Sequence, residues 1–199
     1  HAPPAPDGQP DHAFGIDAGI DQSLFGGRLT LSATGFHTRM TNLIDFGTTG
    51  CGAIQIWGCY VNVGRATMAG VEVAADAILI GNTLTARVSY TNLNAVDERT
   101  NLRLARRPEH AGRAALRWTP IEKLTIEPSV TLVGARFSTT GEKDRLAPYA
   151  RFDVAADYRL TKAMSLYLRG ENLTNARYQE VYNYGTTGRA VYLGLRGGW

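Results

Sequence analysis

Cys51 and Cys59 are the only cysteines of the chain, and both fall in one glycine-containing polar stretch. Two thiols so placed read as a loop-closing disulfide formed in an oxidising envelope. Two free thiols are the alternative, and a zinc pair would lack a histidine near enough in sequence to complete it. By chain entropy so short a loop gains about 2–3 kcal/mol, most of it spent on stiffening the loop itself. His12, His37 and His110 are scattered along the chain, so no metal cluster is expected. For catalysis there is no Gly-x-Ser-x-Gly elbow, no pair of carboxylates in an apolar pocket and no phosphate-binding loop. A Ser/His/Asp set would have to be assembled from His37 or His110 with distant serines. The expectation is a protein that is not an enzyme and carries no cofactor.

The elements that hold these residues are announced by a two-residue rhythm. In residues 151–160, Phe152, Val154, Ala156, Tyr158 and Leu160 interleave with Arg151, Asp153, Ala155, Asp157 and Arg159. Successive side chains of a strand point to opposite faces, so this strand has one apolar and one charged face. Nine such strands can be placed. The first covers about 12–20, the second 28–44 and the third 60–77. The fourth carries Leu84, Ala86, Val88 and Tyr90, the fifth Ala114, Leu116 and Trp118, and the sixth Leu124, Ile126, Val130 and Leu132. The seventh is 151–160, the eighth carries Met164, Leu166 and Leu168, and the ninth Val191, Leu193 and Leu195. A slip of the alternation at Gly35-Phe36 predicts a bulge, and Pro128 predicts a bulge or an unpaired position. Short turns near 23–27, 80–82, 120–123 and 161–163 alternate with long polar loops near 45–59, 94–108, 138–148 and beyond 171.

That alternation of short and long connections is the pattern of an antiparallel transmembrane β-barrel, with short periplasmic turns and long extracellular loops. A soluble antiparallel sandwich also alternates apolar with polar residues. The charged inner face and the strict order of short and long loops weigh against it. No stretch approaches the roughly 18 unbroken apolar residues of a membrane helix, but a barrel strand needs only about 9–11 residues, half of them apolar. A net charge of +3 with scattered basic residues does not suggest nucleic acid. Residues 1–11, rich in proline, read as a loop or ragged terminus, and the start at His1 suggests a mature or truncated chain.

Four stretches resemble the C-terminal barrel of TonB-dependent outer-membrane receptors: Gly70-Val71-Glu72-Val73, Arg106-Arg107-Pro108-Glu109-His110, Glu171-Asn172-Leu173-Thr174-Asn175-Ala176-Arg177-Tyr178, and the final strand after Gly188-Arg189. Within the family, residues 171–195 are most similar to the vitamin B12 (cobalamin) receptors, particularly Tyr178-Gln179-Glu180-Val181-Tyr182-Asn183-Tyr184. The resemblance implies a barrel of about 22 strands closed by a plug. Residues 12–199 would be its last nine strands, open in isolation, with the plug absent. An odd strand count is itself unlike a complete single-chain bacterial barrel.

The same resemblance implies a receptor in the bacterial outer membrane that takes up cobalamin or a similar metal chelate, energised through TonB by way of the missing N-terminal region. A ferric-siderophore receptor of the same family is the alternative substrate reading. A passive porin and an outer-membrane barrel enzyme are the alternatives of another class. Ligand contacts are then expected from aromatic residues of the extracellular loops: Trp57, Tyr60, Tyr182 and Tyr184, which offer large rigid surfaces. Tyr178 is assigned instead to the aromatic girdle at the membrane surface. Glu72, Arg87, Arg113, Arg117, Asp153, Asp157, Arg169 and Glu171 would line the lumen as paired or solvated wall residues. The terminal Trp199 is expected to serve as the signal read by the barrel-insertion machinery, although Gly197 stands where the family usually has a second aromatic. Outer-membrane lipid completes the expected partners.

Overall fold

The computed structural model describes residues 10–47 and 59–198. It contains β1 (His12–Leu24), β2 (Leu29–Gly47), β3 (Cys59–Ile80), β4 (Leu84–Asp97), β5 (His110–Ile121), β6 (Leu124–Val133), β7 (Arg136–Thr139), β8 (Lys143–Leu146), β9 (Tyr149–Arg159), β10 (Met164–Glu171) and β11 (Ala190–Gly197). Nine strands form one antiparallel sheet in the order β1-β2-β3-β4-β5-β6-β9-β10-β11, and β7 pairs only with β8. The sheet is not closed: β1 and β11 are its two edges.

Register decides the faces. Leu31, Ala75, Val88, Ala114, Val130 and Phe152 are linked by successive cross-strand pairs and so lie on one face. This is the apolar face, and it is open to the surroundings: Ile16, Ile20, Leu193 and Leu195 are all more than 60% exposed. A patch this large does not face water in a monomeric soluble protein, whereas lipid accommodates it. Among the described residues no helix is long and apolar enough to cross a membrane; a barrel crosses with strands instead. At the long-loop end the same face turns polar. There Tyr90 Oη lies 2.7 Å from His110 Nδ1, and Asn92 Nδ2 donates to that nitrogen at 3.2 Å. At about 3.3 Å per residue, the 22 residues of β3 reach well beyond the roughly 30 Å hydrocarbon core.

The opposite face is the charged wall expected from the alternation. Arg87 pairs with Asp76 and Arg117 with Glu127, each at 2.5 Å, and Arg151 with Asp153 at 2.9 Å. Arg169 pairs with Glu171, and Arg196 with Asp157 at 3.2 Å. All but the Arg196–Asp157 pair border a concavity of about 820 Å³. Most of them are well exposed, so each contributes little to stability, about 0–1 kcal/mol. Their effect is to leave the wall nearly self-neutral.

Three expectations are corrected. No bulge occurs at Gly35-Phe36: both residues pair in unbroken register with β1 and with β3. Phe36 lies on the polar face because its partner there is Gly70, and a Cβ at Gly70 would come within 2.8 Å of the Phe36 ring. The glycine makes room for the Asn92 backbone oxygen, 2.1 Å from that Cβ position, and for the aromatic ring, as in aromatic rescue of strand glycines. The real interruption of β2 is Asn42, at φ 58°, where the pairing skips a residue without shifting register. Just past it, Leu43 packs with Ala66, Ala95 and Leu104, joined by Met40, Met68 and Leu93. The second correction is the predicted loop 138–148, which contains most of the β7-β8 hairpin. The third is β4, which runs on to Asp97 through the first residues of the predicted loop at 94–108. Pro128 behaves as expected. It pairs with Val154 of β9, but the β5 ladder omits it, because proline has no N–H to donate.

Candidate functional site

Three long connections meet at one end of the sheet: residues 98–109, residues 134–148 with β7 and β8, and residues 172–189. Arg106 donates its backbone N–H to Phe137 O at 2.7 Å and its Nε to Ser138 O at 3.2 Å. Arg103 donates its N–H to Glu142 Oε1 at 3.0 Å. From the third connection, Tyr182 donates its backbone N–H to Ser138 Oγ at 2.9 Å, and Gln179 O accepts Arg136 Nη2 at 2.9 Å. The short strand β7 is therefore the hub of the crown. Ser138 is 1% exposed, and Leu104, Ala105, Leu146 and Arg136 are buried as well. Part of the chain's apolar burial, Leu104, Ala105 and Leu146, is gathered here, while Leu43, Ala66 and Ala95 lie on β2, β3 and β4.

The third connection begins with a clip built by two asparagines. Asn172 is buried; its Oδ1 accepts the N–H of Ala176 at 2.8 Å, and its Nδ2 donates to Ala176 O at 3.0 Å. Its own N–H donates to Asp153 Oδ1 at 2.8 Å, which ties the clip to the wall. Asn175 Oδ1 accepts the N–H of Arg189 at 3.2 Å, closing the base of the segment. Both asparagines have positive φ, 49° and 54°, which this residue type tolerates better than most. The run Glu171-Asn172-Leu173-Thr174-Asn175 thus acts as a turn that folds residues 176–189 back over the lumen side.

Tyr149, first residue of β9 and on the charged face with Arg151 and Asp153, receives this segment. Its ring stacks on Tyr178 at 4.0 Å between centroids, and its hydroxyl donates to Glu180 Oε1 at 2.6 Å. The Arg136 guanidinium sits 5.5 Å from the Tyr149 centroid. Tyr178, expected in the lipid-facing girdle, is on the lumen side instead, because its stacking partner belongs to the inner face.

Of the residues expected to touch ligand, Tyr182 and Tyr184 lie on this crown and are 44% and 72% exposed. Tyr60 is near the start of β3 and 48% exposed, away from that cluster in sequence and sheet order. Trp57, Cys51 and Trp199 lie outside the described residues, while Cys59 opens β3 and is buried. Among the described residues no group of acidic, histidine or cysteine side chains could hold a metal ion. Sequence reasoning missed Arg136, Ser138 and Tyr149, which stand where alternation fades into loop. Only the glycine at 141 and the proline at 148 mark that region, and neither says which side chains turn inward.

The crown is also the basic part of the chain. Its three connections hold nine Lys and Arg against five Asp and Glu, a net +4, while the whole chain carries only +3.

The fold is shared with known transporters and receptors. The copper transporter OprC superposes with a TM-score of 0.76 at 16% identity, over 96% of this chain and 32% of that one. The siderophore receptor PiuA from Acinetobacter baumannii gives 0.71 at 19% identity, over 93% of this chain and 28% of that one. The ferric enterobactin receptor PfeA from Pseudomonas aeruginosa gives 0.70 at 21%, over 94% and 31%. The chain thus spans about a third of the length of each, and at these identities the likeness is one of fold. Residues 4–173 match the family described as TonB dependent receptor-like, beta-barrel. With an apolar outer face, an ion-paired inner wall and long loops gathered at one end, the chain belongs to the TonB-dependent receptor family, as part of its outer-membrane β-barrel.

Proposed function

We propose that this sheet belongs to an outer-membrane receptor that binds a metal chelate at its extracellular mouth and imports it with energy delivered through TonB. The observation that carries the reading is the crown: three loops hydrogen-bonded into one basic, tyrosine-bearing surface above a charged lumen wall. A passive pore has no need of loops bound together over its lumen. TonB would engage a part of the receptor beyond these residues, and insertion into the membrane would use the barrel-insertion machinery through the C-terminal strand and Trp199.

Two substrate readings follow. The structures named above include siderophore receptors and a copper transporter, which favours an iron chelate or another metal complex. Cobalamin is the second reading, motivated by the resemblance of residues 171–195. Uptake of labelled ferric siderophores and labelled cobalamin, in cells with and without TonB, tests both. We expect TonB-dependent entry of at least one metal chelate. Entry that persists without TonB would overturn the receptor reading in favour of a porin.

A further inference from the structure

Gly35 stands in the interior of β2, in an outward-facing row between Ala18 of β1 and Val71 of β3. A side chain there would meet nothing within 4 Å, and the residue is not among the positive-φ glycines. Neither a turn nor a close approach therefore asks for glycine, which weakens a strand interior. Its effect is a notch in the lipid face, where two hollows of about 490 and 550 Å³ lie along β2. One takes in Leu31 and Ala33 and is bordered by Ile20 and Tyr90. The other takes in Gly35 and His37 and is bordered by Ile16 and Val71. From Leu31 to His37 the strand runs about 20 Å at roughly 3.3 Å per residue. At a barrel tilt of about 45° this spans roughly half of the 30 Å hydrocarbon core, the depth of one leaflet.

The hollows end where the outward rows turn polar and basic. Beyond His37 the next outward residue of β2 is Arg39, paired across the ladder with Thr67, and Arg65 lies one outward row further on. Arg39 Nε pairs with Glu98 Oε1 at 3.0 Å, Thr67 Oγ1 donates to the same oxygen at 2.5 Å, and Arg65 acts on Glu98 through space. Two exposed guanidiniums thus share one carboxylate and leave a net positive charge. His12 of β1 and His110 of β5 stand in outward rows on either side. One amphiphile, with an acyl chain and an anionic head, complements both the apolar hollow and the cationic end. A free anion would leave the hollow unused, and a second sheet would need a flush surface rather than a notch. With long loops outside, the polar end lies at the outer leaflet, where the anionic lipid is a phosphorylated glycolipid. We infer that the outer face from Leu31 to Arg39, with Arg65 alongside, binds one such glycolipid, its acyl chain in the hollow and its phosphate against the two arginines. Guanidinium suits phosphate because it presents paired N–H donors. The site lies on the face away from the charged wall, so it rests on the outer-membrane placement of the chain and not on any cargo.

The test uses the full-length receptor, delipidated in detergent and titrated with diphosphoryl lipid A or phosphatidylglycerol, with bound lipid counted by native mass spectrometry. Lipid A should bind about tenfold or more tightly than phosphatidylglycerol. Gly35→Leu fills the hollow and should weaken lipid A binding about tenfold or more. Ala114→Leu adds bulk to the same face outside the hollow and should leave binding within about twofold. Arg39→Gln should weaken lipid A more than phosphatidylglycerol, and Arg39→Lys should recover part of the loss. Thr67→Val removes the other bond to Glu98 without changing charge, so it should keep the preference for lipid A. Heat-modifiable gel mobility shows that each variant is folded. Lipid A binding no tighter than phosphatidylglycerol, no effect of Gly35→Leu, or equal losses in Thr67→Val and Arg39→Gln would overturn the inference. Inorganic phosphate bound as tightly as lipid A would mean an anion site without a lipid. Lipid-free dimers that Gly35→Leu dissolves would mean that a second copy covers the face. Either result overturns the inference too. Loss of TonB-dependent uptake for every chelate would instead remove the receptor reading and leave the lipid site standing.

Discussion

Tyr149 and Tyr178 stack ring on ring, 4.0 Å apart and 18° from parallel, joining the first residue of a wall strand to the middle of a long loop. With the Tyr149 hydroxyl bonded to Glu180, one side chain holds two points of the same segment. Tyr149→Phe removes the bond to a charged acceptor and should cost about 1.5–3 kcal/mol of local stability. Tyr149→Ala removes the stack as well, about 0.5–1.5 kcal/mol more beyond lost burial. Hydrogen exchange should show faster exchange over residues 176–189 in both variants, more in the second. Unchanged protection in Tyr149→Ala would mean that the contact does not hold the loop.

The two faces of β4 make opposite predictions. Val88 lies on the apolar face and Ser89 beside it on the charged one. Val88→Arg places a cation in lipid, at a cost of about 2–4 kcal/mol if near the bilayer midplane. Ser89→Arg adds a cation to a watered wall and should cost much less. Urea midpoints of the refolded receptor in lipid vesicles should separate the two. If Ser89→Arg proves the more damaging, the assignment of faces is wrong.

Gly70 and Phe36 should be coupled. Gly70→Ala puts a methyl group 2.1 Å from the Asn92 backbone oxygen and 2.8 Å from the Phe36 ring. Overpacking of this kind costs about 1–3 kcal/mol. In a Phe36→Ala background the ring is gone but the tighter clash with the Asn92 backbone oxygen remains, so the same change should cost only somewhat less. Additive losses in the double variant would remove the pairing as the reason for glycine here.

Cys51 and Cys59 are proposed to form a disulfide in protein taken from the envelope. Burial of Cys59 at the start of β3 fits a cross-linked rather than a reactive thiol. Mass spectrometry after alkylation without reduction should find neither cysteine modified. Modification of both would sink the proposal.

Much of the fold is legible in the chain because lipid imposes a binary code. Val71, Val73, Ala75 and Ala77 against Glu72 and Asp76 can be assigned to faces by alternation alone, since period two is a property of the strand itself. Phe36 breaks the code, and its explanation lies 34 positions away at Gly70. A local pattern reports the face of a side chain but not the size of what it meets across the ladder. The hairpin of β7 and β8 is hidden for a related reason: each strand has four residues, too few for a period to show.

The sequence by itself determined that the chain is a wall, with its lipid face, its charged face and the alternation of short and long connections. These follow from backbone geometry and the choice of apolar or polar residue, both local. Tertiary structure alone decided where the loops go. Arg136, Ser138, Tyr149, Gln179 and Tyr182 come from two separate connections and a strand, and their meeting depends on how β6, β9 and β10 line up side by side. Hydrogen bonds between loops carry no periodic mark. The buried arginine at their centre is visible only once the strands beneath have brought those loops to one place.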